Sequence, residues 1–200
     1  MKTVALVTQK GGTGKSTLAV HLAVTASRRG QLVALIDLDP QASASLWAER
    51  RGKDDFAVVT ARAADLPGLL DNARQQGADL VLIDTAGRAD VTTTAAIEAA
   101  DLVLIPARPS LYDLAASTTT AAQVKGRNAA FVLNAVPTRG TRADEARAAL
   151  ADLLPVAPVH LHQLVAYSDA LNDGRSVEEL DPYGKAAEEI RALYDWLINV

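Results

Sequence analysis

One stretch constrains this 200-residue chain more than any other: Lys10-Gly11-Gly12-Thr13-Gly14-Lys15-Ser16-Thr17. It comes after a short apolar run, Val4–Val7. It opens a segment, Lys15 to Arg29, in which Leu18, Ala19, Leu22, Ala23 and Ala26 recur at helical spacing before Gly30. A glycine-rich turn between a strand and a helix lets backbone N–H groups point inward at an anion, and the helix N-terminus adds partial positive charge. Lys15 is spaced to reach β- and γ-phosphates, the Ser16 hydroxyl to ligate Mg2+, and Thr17 to touch an α-phosphate. The plainer alternative is a turn that merely caps a helix. At average residue frequencies this pattern arises by chance in roughly one 200-residue chain in two thousand, which favours a nucleotide site. Gly11, Gly12, Thr13, Gly14, Lys15, Ser16 and Thr17 are its expected contacts.

Other short apolar runs recur along the chain: Leu32–Ile36, Phe56–Val59, Leu80–Ile83, Leu102–Ile105, Ala130–Leu133 and, more weakly, Val156–Leu161. They lack clean alternation, as strands buried on both faces of a parallel sheet do. Helical patterns lie between them, at Leu66–Gln76, Tyr112–Val124, Ala143–Leu154 and Pro182–Ile198. The expected fold is α/β, a single doubly wound domain over residues 1–200, with a mostly parallel sheet and helices on both faces. Glu49–Asp55, of mixed charge, reads as a surface loop. With 49% hydrophobic and 22% charged residues, the chain has the makings of an ordinary core. The absence of cysteine excludes disulfides, thiol catalysis and Fe–S ligation. A formal net charge of −4 gives no overall attraction to nucleic acid, so any such contact needs a local basic patch. No apolar run is long enough to span a membrane, and the N-terminal apolar stretch is too short for a signal peptide.

Three carboxylates stand at strand ends, where α/β folds bind ligands. Asp37 and Asp39 sit at i and i+2 in Leu35-Ile36-Asp37-Leu38-Asp39-Pro40-Gln41, a spacing that points both the same way from an extended chain. Asp84 ends Leu80-Val81-Leu82-Ile83-Asp84, where it can hold Mg2+ through a water. Gly87 then falls where a switch segment would sense a γ-phosphate. Each pattern alone is weak; their order after the phosphate loop makes them strong together. His160 and His162 would share one strand face, but no third ligand lies near, so a structural role is expected for them and for His21.

The loop departs from the ordinary Walker A pattern. Its first glycine would fall at Gln9, and a second lysine, Lys10, precedes the glycine pair. This resembles the deviant Walker A motif of the ParA/MinD family of P-loop ATPases, and the Asp37–Gln41 run is similar to the ParA pattern; the Ile105-Pro106-Ala107-Arg108-Pro109-Ser110 segment with Asp113, and Ala166–Val177, resemble small ParA members such as ParF. The resemblance implies ATP and Mg2+ as cofactors, and catalytic roles for Lys10, Lys15 and Asp39. Lys10 would reach a partner's nucleotide across a sandwich dimer formed on ATP binding; a plain exposed lysine is the other reading. Asp39 would orient the attacking water, Ser16, Asp37 and Asp84 would serve the metal, and Asn134 would hydrogen-bond adenine or simply cap its strand. It further implies slow, partner-stimulated hydrolysis, a ParB-like or other adaptor, nonspecific double-stranded DNA binding, a cytoplasmic, nucleoid-associated location, and plasmid, chromosome or protein cargo. The first strand begins near Thr3, leaving no room ahead of it for a helix-turn-helix domain. Lys125, Arg127, Arg139, Arg142 and Arg147 form a candidate basic patch, with Arg139 and Arg142 nearest the positions where the family carries DNA contacts; a solvated helix face is the alternative. The acidic tail (Asp169 to Asp195) argues against a MinD-like membrane anchor and for an apolar stripe packed on the core. A membrane-positioning ATPase and a weakly hydrolysing nucleotide-gated binding module remain alternatives, whereas an Fe–S electron donor of this fold is excluded by the missing cysteines.

Overall fold

The computed structural model describes all of residues 1–200. Strands β1 (Lys2–Leu6), β2 (Val33–Asp37), β3 (Ala57–Thr60), β4 (Leu80–Asp84), β5 (Leu102–Ala107), β6 (Ala129–Val136) and β7 (Val156–His162) pair in the order β3-β2-β4-β1-β5-β6-β7, and every pairing is parallel. Strands covered on both sides need apolar residues at consecutive positions. In β1, Val4 and Leu6 enter one core and Ala5 the other, with Val7 just beyond the strand joining Ala5 there. The first core is closed by α1 (Lys15–Arg28), α2 (Ser43–Arg51), α7 (Val165–Asn172), α8 (Val177–Leu180) and α9 (Lys185–Asn199). The second lies under α3 (Leu66–Gln75), α4 (Val91–Ala99), α5 (Leu111–Gln123) and α6 (Arg142–Ala151).

The topology fixes where a ligand can go. β1 pairs with β4 on one side and β5 on the other; the chain leaves β1 toward β2 on one side, and the later connection from β4 to β5 crosses to the other. A crevice opens outside the carboxyl ends of the strands at such a switch point, and the loop Thr8–Gly14 is the connection that leaves β1 there.

The apolar stripe of α9, Ala187, Ile190, Leu193 and Leu197, is fully buried, as its spacing requires. Its far end is clasped by β1: Lys2 Nζ donates to the carbonyl of Leu197 at 2.7 Å and to that of Val200. No helix is long and apolar enough to cross a membrane.

Two expectations are corrected. Helices α2, α4, α7 and α8 occupy segments where no helix is expected from the apolar pattern. In α2 the buried residues are Ala44, Trp47 and Arg51, so one position of the inward stripe is an arginine. In α4 the run Thr92-Thr93-Thr94 is β-branched and favours strands; the helix starts because the Asp90 carboxylate accepts the Thr93 N–H at 2.9 Å.

The second correction is that Glu49–Asp55 is not simply a surface loop. Its first part ends α2, and the Arg51 side chain is 2% exposed. Arg51 donates to Glu179 at 2.6 and 2.9 Å, to Asp55 at 3.0 Å and to the Gly174 carbonyl at 3.3 Å, and it lies over the rings of Trp47 and Phe56. Burial by itself would raise the Glu179 carboxyl, but hydrogen bonds from Arg51, Lys53 and the Ser176 N–H bring it down to about 2. This knot ties α2 to α8.

A carboxyl held below its unfolded value stabilises the fold above that value and loses the contribution as pH falls toward the folded one. Thermal unfolding should therefore shift to lower temperature between about pH 5 and pH 2. Glu179→Gln should lose about 2 kcal/mol at pH 7, because half the partners of a buried cation go. It should also flatten the acid limb, as calorimetry across pH would show.

Candidate nucleotide site

A cavity of about 650 Å3 lies at the carboxyl ends of β1, β2 and β4, lined by Gly11, Gly12, Gly14, Lys15, Ser16, Thr17, Asp39 and Gly87. The loop is shaped by two left-handed residues, Gly12 (φ 74°) and Gly14 (φ 100°). Gly14 is doubly required: besides its φ, a Cβ there would stand 2.2 Å from the Asn134 side-chain nitrogen. That nitrogen donates to the Thr13 carbonyl at 2.7 Å.

The loop is also braced from inside by the buried Thr8, a residue that no motif in the sequence singles out. The Thr8 hydroxyl donates to the Lys10 carbonyl at 2.7 Å, accepts the Lys10 N–H at 3.3 Å, and lies 3.2 Å from the Thr13 hydroxyl and 3.4 Å from Lys15 Nζ. Burial lowers the Lys15 pKa; the charges of Asp84 and Asp39 oppose it. An anion in the cavity would oppose that lowering.

The carboxylates have distinct surroundings. Asp84 is fully buried, and neither oxygen has a hydrogen bond of ordinary geometry. Burial pushes its carboxyl up to about 7; Asp37 and Asp39 add to the rise, while the nearby Ser16 hydroxyl and Lys15 oppose it. Buried, unpartnered carboxylate oxygens beside a hydroxyl fit a hydrated divalent cation. Ser16 and Asp84 are too few to hold one alone, and no cluster of three or more His, Cys, Asp or Glu side chains stands ready for a metal, so phosphate oxygens and water would have to complete the shell.

Asp37 and Asp39 do not share one environment, because the chain turns directly after β2. Asp37 faces inward: its carboxylate accepts the N–H groups of Ala44 and Ser45, each at 3.0 Å, and of Asp39 at 3.1 Å. It thus caps α2 from a distance, in place of Ala42 at the helix start, which has no capping side chain. Burial still raises its pKa over these bonds. Asp39 borders the cavity, where its carboxylate accepts only the Gln41 N–H, at 2.9 Å.

The loop after β4 lies flush on the phosphate loop: a Cβ at Gly87 would stand 2.7 Å from the Gly11 nitrogen and 2.9 Å from the Lys10 carbonyl carbon. Lys10 itself does not point free. Its Nζ is 3.0 Å from Asp113 Oδ2. Asp113 is in turn held at the start of α5, where Ser110 donates to its carboxylate and accepts its N–H. In the sequence Asp113 is only part of a family-like segment; its pairing with Lys10 is a product of the fold.

A second cavity of about 200 Å3 adjoins the first, bordered by Asn134, Ala135, His162, Gln163, Leu164, Tyr167 and Ser168. Asn134 thus does two things: it ties β6 to the phosphate loop and borders this cavity. Arg108 borders both cavities, a placement that its sequence neighbourhood does not signal.

The model for the CobQ/CobB/MinD/ParA nucleotide-binding domain matches residues 4–177. The chain belongs to this family. It is 29% identical over 208 residues to the maintenance of carboxysome distribution protein A of Halothiobacillus neapolitanus, with 98% of this chain and 96% of that protein covered. Its fold is that of the cell-division ATPase MinD of Pyrococcus furiosus (TM-score 0.84, 20% identity, 99% and 98% covered). It is likewise that of the septum site-determining protein MinD of Pyrococcus horikoshii, solved with Mg-ADP (TM-score 0.80, 18% identity, 98% and 95% covered).

Against this family background the remaining residues can be placed. The five-residue basic patch is corrected. Lys125 and Arg127 precede β6, whereas Arg139 and Arg142 come after it, so a strand roughly 25 Å long separates the two pairs. Arg147 is committed to β7, donating to the carbonyls of Ala157 at 2.7 Å and Pro158 at 3.3 Å. Arg139 and Arg142 remain exposed beyond the carboxyl end of β6. The histidines have protein partners: His162 Nδ1 lies 2.5 Å from Glu189, His160 packs edge-on against His162, and His21 is fully buried against Tyr167.

Gly87→Ala should push the phosphate loop out of shape without touching the cores. Titration with a fluorescent ADP should show affinity reduced about tenfold or more, with the circular dichroism spectrum unchanged.

Proposed function

We propose that this chain is a positioning ATPase: it binds Mg-ATP, dimerises around the nucleotide, rides nonspecifically on double-stranded DNA and is released when an adaptor stimulates hydrolysis. The observation that carries the reading is the Lys10–Asp113 pair beside a complete phosphate cradle. A lysine that has to serve a partner's nucleotide needs a place to rest in the monomer, and Asp113 supplies one 3.0 Å away. Exchange of Asp113 for a phosphate of the partner's nucleotide links dimerisation to ATP.

Within one protomer, the N–H groups of Gly11 to Thr17 and Lys15 take the phosphates, and Asn134 with its cavity takes the adenine. Ser16 and Asp84 would hold Mg2+, with Asp37 beside Asp84 on the paired strand. The metal would supply charge neutralisation to the phosphates. Asp39, the one carboxylate bordering the cavity with most of its lone pairs open, orients the attacking water. No strong base is required, because positioning and charge provide most of the rate in phosphoryl transfer. Arg139 and Arg142 contact DNA phosphates, which gives the nucleoid association. Large protein bodies join plasmids and chromosomes as cargo, a reading supported by the relative named for carboxysome distribution.

The test is a titration of duplex DNA with no nucleotide, ADP or ATP, at low and raised salt, with mass measured by light scattering. Salt-sensitive binding by an ATP-dependent dimer is expected, and Lys15→Ala should abolish it. Arg139→Ala with Arg142→Ala should weaken DNA binding about tenfold or more while leaving the dimer intact. DNA binding that ignores nucleotide would defeat the proposal; binding to anionic vesicles instead would favour the membrane-positioning reading. Separately, Asp113→Asn removes the resting place of Lys10, and the ATP-dependent dimer should then form at about three- to tenfold lower protein concentration.

A further inference from the structure

Three side-chain cations border the large cavity: Lys15, Arg50 and Arg108. Two of them are engaged. Lys15 sits under the loop against Thr8, and Arg50 donates to the Asn172 carbonyl at 3.1 Å. Arg108 alone has neither a hydrogen bond nor an ion pair from its guanidinium; the nearest local bond of its residue is the Ser110 N–H to its backbone carbonyl, at 2.8 Å. Its backbone is nonetheless preset. It comes directly after β5, and Pro106 and Pro109 on either side limit the chain's freedom.

Its position is specific. Only Gly14, Thr17, Arg108 and Leu171 border both the large cavity and the smaller one beside Asn134. These residues form the border shared by the two. If phosphates lie in the loop and the base lies beside Asn134, the segment that crosses this border is the ribose with its α-phosphate. An unpaired guanidinium beside that segment has the charge and the fork of donors that a phosphate oxygen takes. We infer that Arg108 grips the α-phosphate and ribose of the nucleotide bound in its own protomer, a contact common to ADP and ATP.

This inference rests on the cavity being the nucleotide site, and the test separates the two. Binding of ADP with Mg2+ is measured by calorimetry on dilute protein shown to be monomeric by light scattering, for the unaltered chain, Arg108→Ala and Arg108→Lys. Arg108 is exposed, so the variants should fold, which their unfolding temperatures check. The expected result is an ADP affinity about tenfold weaker for Arg108→Ala, an equal loss for ATP, and partial recovery with lysine. Unchanged ADP affinity in Arg108→Ala overturns the inference. So does a loss confined to ATP-dependent dimerisation or turnover, which would put the guanidinium on the partner's nucleotide. Failure of the unaltered chain to bind ADP at all would remove the site assignment itself, and the inference with it.

Discussion

A single hydroxyl inside the phosphate loop supports most of the structure around it. Thr8 bridges both ends of the turn by bonding the Lys10 backbone twice and lying against Thr13 and Lys15. The loop's outward N–H groups can stay unpaired only because its inner groups are paired here. Outside, Asn134 and Gly87 press on the same turn from β6 and from the loop after β4. The glycines therefore do more than provide flexibility. Gly14 and Gly87 mark places where neighbouring atoms leave no room for a methyl group, and the loop is held by contact on each side.

The two buried strand-end carboxylates show how position decides role. Asp37 and Asp84 face each other across paired strands in register. Asp37 receives three backbone N–H groups and organises the start of α2. Asp84 receives none of good geometry and sits high in pKa, short of positive charge. The sequence presents them as equivalent apolar-run-plus-Asp motifs. The difference comes from the path the chain takes on leaving each strand: a turn that brings a helix N-terminus back to Asp37, and at Asp84 an extended exit along the phosphate loop.

That contrast explains how far the chain is legible from its residues alone. The five inner strands are legible because double-sided burial forces apolar runs; the edge strands β3 and β7 are less deeply buried and show shorter or weaker runs. The phosphate loop is legible because few other structures need that glycine spacing. Helix α2 is not, since its inward stripe includes a charged residue whose partners, Asp55 and Glu179, are set by tertiary packing. The basic patch misleads because neighbours in sequence, Arg127 and Arg139, stand at opposite ends of one strand. Arg108 and Asp113 are visible as a family-like segment, but their partners are cavities and a lysine from a loop about a hundred residues earlier, which only the fold brings near.

The Arg51 knot has a mechanical meaning for Asp39, the carboxylate that borders the large cavity. One end of α2 is fixed by Glu179, Asp55 and Gly174, and the other by Asp37. Between Asp37 and Ser43 the chain is a short staple with both legs anchored, its middle closed by the Ala42 N–H on the Asp39 carbonyl at 2.8 Å. Such a staple has no slack to swing away. Any displacement of Asp39 must flex the staple locally, with Ala42 in its left-handed conformation (φ 49°) as the spring already bent.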